Sequence, residues 1–170
     1  SSLAGAGSLY LELGLLSALT KNTKFAEVSR RGMIELFSRR NKKTDLLGAH
    51  IDTRTGRWTE PHAGIGSNAD SFYEYLLKSY VLLDDVEMYY MFRETYDAVM
   101  THMKVGPWYK DASITDGHDV RKHFNNLQAF WPGMQSMIGD VSTGVETLNT
   151  IHGLWQKYGF SPENYDWGKG

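Results

Sequence analysis

Residues 71–83 read SFYEYLLKSYVLL, and apolar or aromatic side chains occur on all sides of the helix that this stretch predicts. The segment that follows, residues 86–104, carries Tyr89, Phe92 and Tyr96 at three- and four-residue spacing, so only one of its faces is apolar. A helix that is apolar all round must be covered on all sides, whereas a helix with one apolar stripe can lie at the surface. The pair therefore predicts an inner helix packed against an outer helix.

The same order of helices occurs twice more in the chain. Residues 7–20 and 24–39 form the first predicted pair, and residues 124–138 and 141–158 form the third. Pro132 should bend the third inner helix, or start it if the helix begins late. Three such pairs, repeating every roughly 60 residues, predict an all-α fold, a partial αα toroid. Three pairs cannot close a ring, so the open apolar seams predict one segment, residues 1–170, of a larger barrel domain.

A β-hairpin is predicted near residues 47–60, between the first two helix pairs. Its sequence is LGAHIDTRTGRWTE, in which residues 53–56 supply the turn and Gly56 can adopt a positive φ. Ile51 and Trp58 lie on the two flanking strands. Hairpins between the helices of a toroid plug or rim the barrel, and this one is expected to do the same.

The composition argues against several classes of protein. The 170 residues carry a net charge of −2 and no cysteine, which excludes a disulfide framework and a thiolate metal site in this stretch. One basic cluster, residues 39–43, is predicted to be a solvated helix end rather than a nucleic-acid site. The most apolar run, residues 3–19, is shorter than the roughly 20 residues of a spanning helix and contains Glu12. A buried helix of a soluble core is therefore predicted.

Three carboxylates stand out as candidate functional groups. Glu12 is the sole charge between residues 3 and 18, and it is predicted to be buried, where it either ties loops through backbone N–H groups or lines a polar cavity. Asp70 and Glu74 are four residues apart and share one helix face. Asp70 follows the sequence GSNA, so it either caps the helix or serves as one of the paired acids of glycoside hydrolysis. Phe72 and neighbouring tyrosines fit a site that stacks on a sugar ring.

Motifs for metal or nucleotide binding are missing from the sequence. The six histidines show no metal-ligand spacing, and none pairs with an acid in an HExxH pattern. The chain has no GxGxxG, Walker or GxSxG motif, and residues 5–7 lack the flanking strand and the Lys-Ser/Thr of a phosphate loop.

Three blocks of sequence resemble glycoside hydrolase family 47, the class I α-1,2-mannosidases. Residues 66–80 (GSNADSFYEYLLKSY) are similar to the family signature, an Ala-Asp-Ser followed by two aromatic residues and Glu-Tyr-Leu-Leu-Lys. Residues 4–14 (AGAGSLYLELG) are similar to the opening of an inner helix. Residues 127–140 (LQAFWPGMQSMIGD) resemble a block of the endoplasmic-reticulum (ER) degradation-enhancing mannosidase-like branch. The likeness covers nearly the whole chain.

The resemblance implies an (α/α)7 barrel that carries a calcium-dependent, inverting hydrolase of α-1,2-linked mannose. It places the protein in the ER lumen, trimming high-mannose N-glycans of misfolded glycoproteins, with an ER oxidoreductase as a candidate partner. By the same resemblance, the calcium-binding Thr and two of the three essential acids of the family are expected outside this stretch, so the isolated chain should be inactive.

The candidate site residues follow from the resemblance and from the residues themselves. Asp70 matches a catalytic carboxylate of the family, and Asn68, Glu74, Asn126 and Glu12 are candidate substrate-binding residues. Asn68 and Asn126 stand where the processing mannosidases of the family have Arg and His, which favours the degradation-enhancing branch. Two other hypotheses stay open: a non-catalytic module of the same fold that binds glycoproteins or acts as a scaffold, and a toroid of another glycan-processing family.

Overall fold

The computed structural model describes residues 1–169 and contains the three predicted helix pairs. The elements in chain order are α1 (Leu3–Gly7), α2 (Tyr10–Thr20), α3 (Lys24–Ser38), β1 (His50–Asp52), β2 (Arg57–Glu60), β3 (His62–Ala63), α4 (Asp70–Leu83), α5 (Val86–His102), β4 (Lys104–Val105), β5 (Trp108–Tyr109), β6 (Asp111–Ser113), β7 (Asp119–Arg121), β8 (His123–Asn125), a 3-10 helix (Asn126–Phe130), α6 (Trp131–Met137), α7 (Val141–Tyr158) and β9 (Asn164–Asp166). Helix α2 packs on α3, α4 on α5 and α6 on α7. Helix α4 also contacts α1, α2 and the 3-10 helix. The inner helices of the three pairs therefore lie side by side in an arc.

The core lies between the inner and outer helices of this arc. Phe72 and Tyr73 of α4 and Phe92 of α5 are at most 1% exposed. Trp131, at the start of α6, is fully buried, and its ring centroid lies 5.6 Å from those of both Tyr73 and Tyr96. This aromatic cluster joins the second helix pair to the third.

The predicted β-hairpin is present between the first two pairs. Strands β1 and β2 are antiparallel, with Ile51 opposite Trp58. Gly56 in the turn has a φ of +69°, and a Cβ at this position would lie 2.2 Å from Nη1 of Arg39. Both the backbone conformation and the available space therefore favour glycine.

The first inner helix differs from its prediction. It is interrupted at residues 8–9, so α1 and α2 replace one continuous helix. Four of its leucines are exposed, with Leu19 at 75%, and Glu12 is also exposed, so the prediction of a helix buried on all sides was wrong. Both α1 and α2 pack on α3 and α4, and these contacts leave the exposed leucines uncovered as an open apolar face.

Residues 3–20 also have the length and apolar composition of a membrane-crossing helix. This is weak evidence, because the core helix of a soluble protein meets the same test. Tyr10, Gly14 and Ser17 are buried at helical spacing along α2, and the Ser17 hydroxyl accepts a hydrogen bond from the backbone N–H of Ala26 at 2.8 Å. That this segment does not span a membrane stays a prediction.

The third inner helix is shorter than the sequence pattern predicts. The stretch 124–138 is not one helix, because β8 ends at Asn125 and a 3-10 helix then leads into α6. Pro132 is the second residue of α6, where a missing N–H group is tolerated because N–H groups of the first turn have no helical partner. The alternative of a late helix start at Pro132 is therefore confirmed.

Seven short strands outside the hairpin were not predicted. They are two or three residues long and form three small antiparallel sheets, β3-β6-β7, β4-β5 and β8-β9. Such short strands contain no alternation of apolar and polar residues that a sequence analysis could recognise. Strands β3, β6, β7, β8 and β9 nevertheless supply residues of the polar cavity described below.

Asp85 links the first two helix pairs. It lies just before α5, and its carboxylate accepts two hydrogen bonds from Arg30 of α3, at 2.6 and 3.1 Å, and one from the hydroxyl of Tyr10 of α2, at 2.9 Å. Burial acts to raise the pKa of Asp85, but these hydrogen bonds outweigh burial and lower the pKa below its ordinary value. The ionised carboxylate therefore stabilises the contact of the two pairs.

Replacing Asp85 by Asn should lower the free energy of unfolding at neutral pH. We expect about 1.5 kcal/mol, the lower end of the range for hydrogen bonds to charged groups, because the Arg30 side chain is 33% exposed. Since the pKa of Asp85 is depressed in the folded state, its contribution is present above the unfolded pKa of about 3.9 and is lost as the pH falls through the folded pKa. Urea unfolding of both proteins at neutral and acidic pH measures this; a difference that stays the same in acid would contradict it.

Candidate active site

Asp70 is the first residue of α4 and follows a tight loop. The backbone N–H groups of Ala69 and Asp70 both donate to the carbonyl oxygen of Gly66, at 3.0 and 2.9 Å, which fixes the entry into the helix. Asn68 has a φ of +73°, a left-handed conformation that Asn adopts more readily than most residues. The carbonyl oxygen of Asn68 accepts a hydrogen bond from the N–H of Ala4 at 2.8 Å, so the loop is also attached to α1.

The Asp70 carboxylate is partly exposed, and its two oxygens differ in their contacts. Oδ1 accepts hydrogen bonds from the backbone N–H of Ser71 at 2.8 Å and from the Ser71 hydroxyl at 3.2 Å. The N-cap position of α4 is Ala69, and Asp70 is the first helical residue, so this contact with the N–H of the next residue is a local bond of the first turn rather than an N-cap bond. Within residues 1–169 Oδ2 has no hydrogen-bond donor, so it is free to meet a ligand.

The other predicted site residues lie in separate surroundings. Glu74 forms an ion pair with Lys78 at 2.9 Å and borders a cavity of about 300 Å³ between α4 and α6. Glu12 accepts a hydrogen bond from the hydroxyl of Tyr75, so it pairs with a side chain of α4 rather than with loop N–H groups. That bond, with burial, raises the pKa of Tyr75 to about 12. Asn126 is exposed at the start of the 3-10 helix.

A polar cavity of about 400 Å³ lies next to the loop that carries Asp70. The loop residues Gly66 and Asn68 border the cavity. Another wall is formed by Asn125 of β8 and Gln128 of the 3-10 helix, and Asp111 of β6 contributes a carboxylate. No Phe, Tyr or Trp among the described residues lines it. The cavity is therefore suited to hydrogen bonding rather than to apolar contact.

Asn125 holds two walls of this cavity in place. Its Nδ2 donates to the carbonyl oxygen of Glu163 at 3.3 Å and to Oδ1 of Asn164 at 2.9 Å. Its Oδ1 accepts from the backbone N–H of Leu127 at 3.0 Å and from the Ser67 hydroxyl at 3.3 Å. With this amide engaged on both sides, β8, β9 and the Asp70 loop form one connected frame.

Asp111 is a buried acid of the cavity that the sequence analysis did not identify. It is 6% exposed, and its Oδ2 lies 3.5 Å from Nε of Arg121 and 3.7 Å from Nδ1 of His123. Burial raises the pKa of Asp111 above its ordinary value, although the charges of His123 and Arg121 act in the opposite direction; burial lowers the pKa of His123. Asp111 and Arg121 are ten positions apart and meet because they are partners in the β6–β7 pairing, which no local motif indicates.

The described residues do not fit the calcium ion that the family resemblance implies. Within residues 1–169, no group of three or more His, Asp or Glu side chains is arranged to hold a metal ion. Calcium requires roughly six to eight oxygen ligands. We therefore assign no calcium ligand to this part of the protein.

Comparisons with known proteins point to one family. The family model of glycosyl hydrolase family 47 matches residues 1–170. The chain is 44% identical over 166 residues to Alpha-mannosidase I MNS4 of Arabidopsis thaliana, covering 98% of this chain and 26% of that protein. It is 36% identical over 163 residues to ER degradation-enhancing alpha-mannosidase-like protein 2 of Homo sapiens, covering 96% of this chain and 28% of that protein. The chain thus spans less than a third of the length of these relatives.

A solved structure shows the same fold. The alpha-1,2-mannosidase from Trichoderma reesei matches with a TM-score of 0.85 at 21% sequence identity, covering 98% of this chain and 38% of that chain. The three helix pairs are therefore an arc of the predicted (α/α)7 barrel, and the prediction of the fold class is confirmed.

Proposed function

Because this chain belongs to glycosyl hydrolase family 47, we propose that it forms part of an α-1,2-mannosidase that trims N-glycans of misfolded glycoproteins in the ER. Its relatives are named for α-mannosidase activity and for ER degradation, which supports a mannosidase-like role in ER glycoprotein processing. The observation that carries the proposal is the Asp70 carboxylate, which has one free oxygen and follows a loop that borders a polar cavity of about 400 Å³.

The surroundings of Asp70 suit a general base. Oδ1 of Asp70 accepts both hydrogen bonds from Ser71 at the start of α4. The same bonds restrict the orientation of the carboxylate and leave Oδ2 available to a reactant. In this proposal Oδ2 accepts a proton from the attacking water, and an acid from another part of the complete protein protonates the leaving oxygen.

The inverting mechanism belongs to this proposal. It requires the acid and the base to stand roughly 6.5–9.5 Å apart, with a water molecule between them. Glu74 is paired with Lys78 and Glu12 with Tyr75, so neither is free to act as the second acid. We propose instead that Glu12, Glu74, Asn68 and Asn126 contact the glycan, as the sequence analysis predicted.

Three further elements of the proposal concern the complete protein. We expect it to lie in the ER lumen, because its relatives in animals and yeasts are named for ER degradation. Calcium is expected to bind through residues outside 1–169, and an ER oxidoreductase is a candidate partner. Both expectations derive from the family alone.

A second candidate function is glycoprotein binding without cleavage. One observation favours it: both hydrogen bonds that Oδ1 of Asp70 accepts come from the next residue, Ser71, in the first turn of α4, as they would if Asp70 had a purely structural role. The polar cavity would then bind the glycan and present it to other proteins as part of a scaffold.

The complete protein should release free mannose from a high-mannose glycoprotein, and the isolated residues 1–170 should release none. A single carboxylate cannot serve at once as the acid and the base on opposite faces of the sugar ring. Mass spectrometry of the glycans before and after incubation measures the loss of hexose units. If the complete protein binds the glycan but releases no mannose, the second function is favoured. Rapid release of mannose by the isolated chain would contradict the prediction that its active site is incomplete.

A further inference from the structure

The polar cavity of about 400 Å³ contains buried polar groups that the proposed chemical step does not use. Asp111 is 6% exposed, and its carboxylate has two cationic neighbours, Nε of Arg121 at 3.5 Å, the outer limit of a hydrogen bond, and Nδ1 of His123 at 3.7 Å. Nδ1 of His123 is also buried without a hydrogen-bond partner in this part of the chain. Buried polar groups are nearly always hydrogen-bonded in native proteins. The unpartnered nitrogen of His123, beside a buried carboxylate whose ion pair with Arg121 is long, therefore indicates a ligand with its own donors and acceptors.

The charges around the cavity favour a neutral polar ligand. The guanidinium of Arg121 lies 3.5 Å from the Asp111 carboxylate, so a metal cation bound there would meet a positive charge. An anion such as phosphate would meet the carboxylate itself. A hydroxyl group avoids both penalties, because it donates to the carboxylate and accepts from Arg121 or from His123.

Two glycines give the cavity its depth. A Cβ at position 64 would lie 3.0 Å from Oδ1 of Asp111, and a Cβ at position 66 would lie 2.9 Å from Cγ of Gln128. Larger side chains at Gly64 and Gly66 would therefore press on the walls of the cavity. The same loop continues through Asn68, which borders the cavity, to Asp70. Asp70 does not itself line the cavity, but it lies two residues after Asn68, which does.

We propose that Asp111, together with Arg121 and His123, binds hydroxyl groups of a sugar residue other than the mannose that is cleaved. This site would select which glycan branch reaches Asp70. The inference rests on the proposed function and deepens it, because it names residues of the chain that recognise the rest of the glycan.

The test is glycan binding by the complete protein, measured by titration calorimetry with a high-mannose N-glycan. Asp111→Asn should raise the Kd at least about tenfold, because a hydroxyl donor loses a charged acceptor. The matched control is Asp116→Asn, in the exposed turn between β6 and β7, which should leave the Kd within about twofold of wild type. Arg121→Gln is the second variant. Its side chain is 59% exposed, so the fold should tolerate the change, and the Kd should rise several-fold.

The outcomes separate this inference from the proposed function. In one outcome, wild type releases mannose, and Asp111→Asn and Arg121→Gln bind the glycan with the wild-type Kd. This result refutes the site at Asp111 and supports the proposed hydrolase activity. In another outcome, wild type binds the glycan but releases no mannose, and both variants bind the glycan more weakly. This result supports the site at Asp111 and refutes the proposed hydrolase activity. If wild type does not bind the glycan at all, the site is refuted. Should Asp111→Asn fail to fold, the Arg121→Gln result decides.

Discussion

Replacing Trp131 by Ala should lower the free energy of unfolding by about 3–5 kcal/mol, the range observed when a buried Trp or Phe is truncated in a core. Trp131 is fully buried at the start of α6. The loss combines the transfer of a large apolar side chain with the cavity that remains, because the neighbouring helices can relax only in part. We expect this to be among the largest single-residue effects on stability in the chain.

The size of the effect follows from the position of Trp131 between two helix pairs. Its ring stacks on Tyr96 with an interplanar angle of 19°, and it meets Tyr73 edge-on with an angle of 87°. Tyr109 and Phe130 complete the cluster, with ring centroids 5.7 and 5.9 Å from that of Trp131. Aromatic pairs of this kind contribute about 0.5–1.5 kcal/mol beyond their buried area. Truncation should therefore loosen the contact between the second and third pairs.

Two control variants make this prediction specific. Trp155→Ala removes the same atoms from α7, where the side chain is 55% exposed, and should lower the stability by less than about 1 kcal/mol. Trp131→Phe keeps a ring in the cluster and should fall between wild type and Trp131→Ala. Urea unfolding followed by circular dichroism measures all three. Equal losses for Trp131→Ala and Trp155→Ala would show that the aromatic cluster does not hold the pairs together.

The helix pairs could be predicted because their signals are local. Helix α4 was predicted to within one residue, since the run from Ser71 to Leu83 is bounded by the loop before Asp70 and by two aspartates after it. The hairpin was predictable for the same reason, because Gly56 marks its turn. In these elements the residues that decide the structure are neighbours in the sequence.

The walls of the polar cavity could not be predicted, because they depend on distant contacts. Asp111 and Arg121 come together through strands of only three residues each, and His62 of β3 joins the same sheet from about fifty positions earlier. Burial of α2 was overestimated for a related reason. Apolar composition shows that a face avoids water, but it does not show which element covers that face.

Replacing Asp70 by Asn in the complete protein should reduce mannose release by about a hundredfold or more, because a positioned general acid or base contributes roughly 10²- to 10⁴-fold to a rate. Asn keeps an oxygen that can accept the hydrogen bonds from Ser71, so the helix start and the fold should be preserved. It cannot take a proton from water, so kcat should fall while glycan affinity changes little. Initial rates of mannose release, with thermal unfolding of each protein, give both quantities.

Asp84→Asn is the matched control for this prediction, because Asp84 lies exposed at the other end of α4. Its φ of +55° is left-handed, and Asn tolerates that conformation as well as Asp does, so rate and stability should match wild type. The comparison separates the two hypotheses for Asp70 that the sequence left open. A structural cap predicts that Asp70→Asn changes stability slightly and leaves the rate intact, whereas a catalytic base predicts an intact fold and a collapsed rate. Unchanged trimming by Asp70→Asn would therefore remove Asp70 from the mechanism and leave it a structural role at the start of α4.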